Sequence, residues 1–91
     1  MFSVSQHVRS SFDDYGAVIL DIQHGQVLRL NKTASFIFEH LTHTPKECEI
    51  VRHLVEEFRV PYAVAQADVR EFLESMVRLQ LVYRYPSKVH A

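Results

Sequence analysis

One short stretch constrains this chain more than any other: residues 17–22, the turn Gln23-His24-Gly25, residues 26–30, and then Asn31-Lys32-Thr33-Ala34. A turn glycine between two apolar runs is the pattern of two antiparallel strands joined by a tight connection. Asn31 follows directly, and an asparagine side chain there accepts a hydrogen bond from a free backbone N–H in a first helical turn. The stretch predicts a small sheet whose last strand delivers the chain into a helix. It also leaves that strand with an open edge, a device for binding peptide.

Upstream, residues 7–12 form a further expected strand, closed by the turn-forming Asp13-Asp14-Tyr15-Gly16. Ala17-Val18-Ile19-Leu20 is apolar on both faces, as a central, covered strand would be. In the next strand Val27 and Arg29 point one way and Leu28 and Leu30 the other. A meander of the three puts residues 26–30 at an edge that only Arg29 blunts.

Three helices follow. Ala34, Ile37, Phe38 and Leu41 share one face of the first. Thr44-Pro45-Lys46-Glu47 has the form of a capping box with proline at the first helical position, and Val51, Leu54, Val55 and Phe58 form the stripe of the second helix. Pro61 opens the third, over residues 61–79, whose expected stripe is Ala65, Val69, Phe72, Met76 and Leu79. Beside it runs a mixed row, Gln66, Arg70, Leu73, Val77 and Gln80, suited to the wall of a groove. Residues 81–83 return as a short closing segment, and residues 1–6 and 86–91 are expected to fray. The predicted class is α+β, a three-stranded antiparallel sheet followed by three helices, close to a winged helix-turn-helix.

Composition bounds the function. The 91 residues make one domain, 1–91, with its core over about 7–83. A formal charge of −1, with the six histidines neutral, creates no field to attract nucleic acid or an anionic membrane. Cys48 is the one cysteine, which excludes an intramolecular disulfide and fits a reducing cytosol. Residues 1–6 lack the basic-then-apolar pattern of a signal peptide, and no apolar run approaches the roughly 20 residues of a membrane helix. A soluble cytoplasmic protein is expected.

No catalytic constellation emerges. His40, His43, Cys48 and His53 are all acceptable zinc ligands, yet their spacing matches no compact pair-and-pair pattern and they span two helices and a loop. Solvated histidines and a packed cysteine are the simpler account, so no metal and no cofactor are expected. Cys48 stands between Glu47 and Glu49, whose negative charges disfavour a thiolate nucleophile. With two glycines there is no phosphate-cradling loop. A winged helix-turn-helix also suggests DNA reading, but the third helix sets Asp68, Glu71 and Glu74 against Arg70 and Arg78, which forfeits phosphate neutralisation.

Peptide binding by strand addition is the remaining reading. The backbone of Gln26, Val27, Leu28, Arg29 and Leu30 supplies the edge, and Gln66, Arg70, Leu73 and Val77 supply the wall if the third helix packs beside it. Leu73 and Val77 would hold apolar anchors, and Arg70 or Arg29 would meet a carboxylate. The competing account makes Val77 core and lets the C-terminal tail cover the edge.

The run Val18-Ile19-Leu20-Asp21, then Gly25, then Leu30-Asn31-Lys32-Thr33-Ala34, resembles the PqqD-like family, as does Asp68-Val69-x-x-Phe72-Leu73 followed by Leu81-Val82. The resemblance covers about residues 7–83. It implies a non-catalytic recognition element that binds the leader segment of a ribosomally synthesised precursor peptide and presents it to modifying enzymes. It also implies that the leader adds as an antiparallel strand to residues 26–30 and lies against the third helix, the two surfaces chosen above. Two positions depart from the family pattern: Val60-Pro61 replaces an acidic cap, and Gln80 stands where a glycine is common.

Gly16-Ala17-Val18-Ile19-Leu20-Asp21 and His7-Val8-Arg9 resemble the lasso-peptide members, which implies a separate cysteine protease (the leader peptidase) and an ATP-dependent cyclase as partners. The alternatives are a peptide chaperone for a radical enzyme in pyrroloquinoline quinone biosynthesis and, from another class, a winged-helix DNA-binding regulator. An exposed edge also suits pairing with a second copy in a homodimer.

Overall fold

A computed structural model describes residues 1–86. The expected fraying of residues 87–91 lies outside the described residues. Eight elements follow in chain order: β1 (Phe2–Val4), β2 (Val8–Asp13), β3 (Gly16–Asp21), β4 (Gln26–Leu30), α1 (Lys32–Leu41), α2 (Glu47–Phe58), α3 (Tyr62–Arg78) and β5 (Val82–Arg84). The antiparallel sheet β2-β3-β4 followed by three helices is the α+β arrangement expected from the sequence.

The β2–β3 connection is tight because Asp13 closes it. Its Oδ1 accepts the N–H groups of Tyr15 (2.8 Å) and Gly16 (2.9 Å). Gly16 itself has φ 151°, and a Cβ there would collide with the carbonyl oxygen of Leu30. Only glycine lets β3 begin this close to the end of β4. Ala17 pairs with Leu30 and Ile19 with Leu28, so these inward-facing residues build one wall of the core.

β3 is central, yet only one of its faces is covered. Ala17, Ile19 and Asp21 are buried, whereas Leu20 is 41% exposed on the opposite face. The expectation of a strand covered on both sides is therefore corrected: all three helices follow the sheet in sequence, and α1 packs against β3 on one face.

Asp21 organises the next turn. Its Oδ1 accepts the His24 N–H at 3.1 Å, and its Oδ2 meets His24 Nδ1 at 2.7 Å and accepts from Gln26 Nε2 at 3.2 Å. Burial raises the Asp21 carboxyl pKa, but the hydrogen bonds from the His24 side chain and backbone and from Gln26 outweigh it, so the net shift is downward.

Asn31 caps α1 as expected, its Oδ1 accepting the Ala34 N–H at 2.8 Å. α2 starts later than the capping box implied. Pro45 stays outside the helix, where its carbonyl accepts the Phe2 N–H at 3.1 Å, and Thr44 Oγ1 bonds Glu49 Oε1 instead of closing a box with Glu47. Pro61 likewise stands one residue ahead of α3.

The buried stripe of α3 is Ala65, Val69, Leu73 and Met76. The expected order of the two neighbours is reversed: Leu73 is fully buried, while Phe72 is half-buried at the margin of the core and Leu79 is exposed. α3 packs chiefly on α2 and β5, which turns the Leu73 side inward. Burying a leucine this fully contributes roughly 1.5–3 kcal/mol.

The N-terminal residues are not frayed. β1 pairs antiparallel with β5, Phe2 opposite Arg84 and Val4 opposite Val82, and the Arg84 guanidinium lies 5.1 Å from the Phe2 ring centroid. Three-residue strands carry too little periodicity to be read locally, and this pairing joins the two ends of the domain. α3 reaches β5 through a tight reversal: Gln80 has φ 62°, its N–H bonds the Val77 carbonyl, and the Leu81 N–H bonds the Met76 carbonyl. That is a Schellman motif with glutamine in the left-handed position.

Candidate strand-addition edge and groove

Among the described residues β4 pairs with β3 alone, so alternate residues along it turn their N–H and C=O groups away from the sheet. The C-terminal tail, the alternative cover for this edge, lies over residues 87–91 outside the described residues, and β5 before it pairs with β1. Along β4, Leu28 is half-buried and Leu30 buried toward the core, while Val27 (67% exposed) and Arg29 face solvent. Gln26 is held at the start of the strand by its bond to Asp21.

Where β4 runs into α1, a groove of about 390 Å³ opens between the first turns of α1 and the middle of α3. Asn31, Thr33, Ala34 and Ile37 form one side, and Asp68, Glu71, Phe72 and Ser75 the other. The Asn31 cap fixes the first side, because it sets the angle at which the helix leaves the strand. The apolar surface comes from Ala34 and Phe72 over the buried Ile37, and Asp68 and Glu71 place two carboxylates beside it. Such a groove can take an apolar side chain next to a cationic one.

The row expected as the wall is divided. Gln66 and Arg70 border a small depression with Glu47, Cys48, Val51 and Tyr62 on α2 and the start of α3. Arg70 Nε lies 3.3 Å from Glu47 Oε2. Leu73 is core. Val77 borders a separate hollow with Ser5, His7, Gln80 and Val82. Phe72, one residue from the expected anchor Leu73, is the aromatic side chain that lines the groove. Its exposure depends on which of two adjacent apolar residues the core takes, a choice that helical periodicity leaves open.

The loose His/Cys group does not converge either. The His40 and His53 rings lie 5.1 Å apart, but His40 Nδ1 is engaged by the Phe36 carbonyl at 3.1 Å, and Cys48, expected to be packed, is exposed instead on the first turn of α2. Among the described residues, no helix is long and apolar enough to cross a membrane.

The chain is similar to known proteins over most of its length. The profile of the family described as coenzyme PQQ synthesis protein D (PqqD) matches residues 16–82. No curated protein matches the chain by sequence. A solved structure of TbiB1 in complex with the TbiA(beta) leader peptide superposes with a TM-score of 0.85 at 27% identity, covering 93% of this chain and 99% of that one. A second, lasso peptide synthetase B1 complexed with the leader peptide, gives a TM-score of 0.81 at 24% identity over 91% and 98% of the two chains, a likeness of fold. The matched span runs from Gly16 to Val82 and so contains the β4 edge and all of α3. The chain belongs to the PqqD family.

Proposed function

We infer that this protein is a non-catalytic recognition element of lasso-peptide biosynthesis, which captures the leader segment of a precursor peptide as an additional antiparallel strand on β4. The observation that carries the reading is the β4 edge, unpaired among the described residues and running into the groove of Phe72, in a chain similar to TbiB1, which was solved with a leader peptide. The backbone of Gln26–Leu30 supplies main-chain hydrogen bonds, and side-chain pockets supply selectivity. Phe72, Ile37 and Ala34 take an apolar or aromatic leader residue, and Asp68 and Glu71 favour a cationic neighbour. Val77 serves a second contact beyond this groove. Gln66 and Arg70 lie on the α2 side, outside the groove, with Arg70 held by Glu47, and Leu73 supports Phe72 from within the core.

Capture raises the effective concentration of the precursor at its maturation enzymes. Those are a cytoplasmic cysteine protease that removes the leader and an ATP-dependent cyclase. The test is fluorescence anisotropy of a labelled leader peptide, from a precursor encoded beside this chain, titrated with the purified protein. Saturable micromolar or tighter binding, lost on substitution of the leader's apolar anchor, supports the role. An absence of binding by folded protein refutes it, and a duplex-DNA titration then examines the winged-helix regulator alternative.

A further inference from the structure

Two turns meet at the other end of β4, in a cluster that peptide capture does not use. The β2–β3 register sets Val8 opposite Asp21 and so brings His7 alongside the Asp21 carboxylate. His7 Nε2 lies 3.6 Å from Asp21 Oδ1, and His24 Nδ1 lies 2.7 Å from Asp21 Oδ2. The donor atoms of the three residues all fall within 4.8 Å of one another. The Asp21 side chain is fully buried, and the two imidazole rings stand edge to face, 5.8 Å apart.

His7 Nε2 is the one buried side-chain nitrogen of this cluster without a partner. It is buried and makes no hydrogen bond, since 3.6 Å exceeds hydrogen-bond reach. A buried ring nitrogen aimed at a carboxylate but held short of it is costly to leave so, and calls for an occupant of the gap. A proton answers this poorly because it leaves the distance unchanged. A cation between the two atoms answers it directly.

We propose that His7 Nε2, the Asp21 carboxylate and His24 Nδ1 bind one divalent transition-metal ion of the zinc class, with water as fourth ligand. Zinc bonds of about 2.0–2.2 Å in a tetrahedron place neighbouring donors roughly 3.3 Å apart. The two histidine–carboxylate spacings, 3.6 and 2.7 Å, lie on either side of that value, and His24, 38% exposed, has room to turn its ring toward His7. Two imidazoles and one carboxylate select zinc-like ions over magnesium or calcium, which prefer oxygen alone. The ion takes the place of the proton shared by His24 Nδ1 and Asp21 Oδ2, so both rings ligate in the neutral form. Gln26 Nε2 and the His24 N–H keep their bonds to the carboxylate and orient it from outside the metal's ligand set. The bound ion ties the start of β2 to the β3–β4 turn.

The experiment uses chelator-treated full-length protein. Zinc titration by calorimetry is expected to give one site per chain and a zinc-dependent rise of the melting temperature. Cobalt(II) is expected to give the intense visible absorption of a four-coordinate ion. His7→Ala and His24→Ala should each weaken binding by about tenfold or more, while His53→Ala, in the unrelated histidine pair, leaves it unchanged. Asp21→Asn also weakens the turn, so the two histidine variants carry the test. An unchanged melting curve with zinc and no cobalt spectrum would overturn the proposal and leave the cluster a hydrogen-bonded turn support. Binding that survives both histidine variants but falls with His53→Ala would overturn it too, by placing the ion at the helices.

Discussion

Arg70 Nε lies 3.3 Å from Glu47 Oε2, joining the middle of α3 to the first turn of α2. The Arg70 side chain is largely exposed and Glu47 partly so, which makes the pair worth at most about 1 kcal/mol. It nevertheless occupies the guanidinium that the sequence offered to a peptide carboxylate. Arg70→Glu should therefore lower stability by about 0.5–1 kcal/mol in urea unfolding and change leader affinity by no more than about twofold. A large loss of affinity in anisotropy titrations would place the peptide on the α2 side.

Phe72 is the residue on which affinity should hinge. It is half-buried at the groove, and a glutamate there adds a third carboxylate beside Asp68 and Glu71. Phe72→Glu is expected to abolish leader binding while the helical circular-dichroism spectrum persists. Leu28→Glu should do the same from the strand side. If both variants fold and bind normally, the peptide lies elsewhere.

Gly16 cannot be replaced cheaply. Any Cβ meets the Leu30 carbonyl oxygen, and φ 151° is itself strained for other residues. Gly16→Ala should destabilise the domain by about 3 kcal/mol or more, measured as a shift in the urea midpoint. A shift under half of that would mean the β3–β4 corner relaxes freely.

Gln80 offers the opposite case. It holds the left-handed position after α3, at φ 62° with the hydrogen bonds of a Schellman motif already made. Gln80→Gly removes the Cβ penalty and should stabilise by about 0.5–1 kcal/mol, read as a higher melting temperature. A lower melting temperature would mean that the glutamine side chain contributes more than the strain costs.

What the sequence disclosed was local. The β3–turn–β4 run and the Asn31 cap depend on residues within a few positions of one another, and both form as read. The choice between Phe72 and Leu73 was not legible, because either continues the spacing set by Ala65 and Val69; packing against α2 and β5 decides it. β1 was missed because its partner, β5, lies at the far end of the chain. The convergence of His7 with Asp21 and His24 was legible only once Val8 was known to face Asp21, a question of strand register and not of composition.

Among the described residues the sheet has two unpaired margins, β4 on one side and β2 on the other. Their geometry gives the protein two ways to meet itself. β4 against β4 is self-complementary and stops at a pair, whereas β4 against the β2 of a neighbour leaves a free margin at each end and can grow into a filament. A strand seated on β4 ends both routes at once. In a cell, the ratio of precursor to this protein would then set its solubility as well as its occupancy.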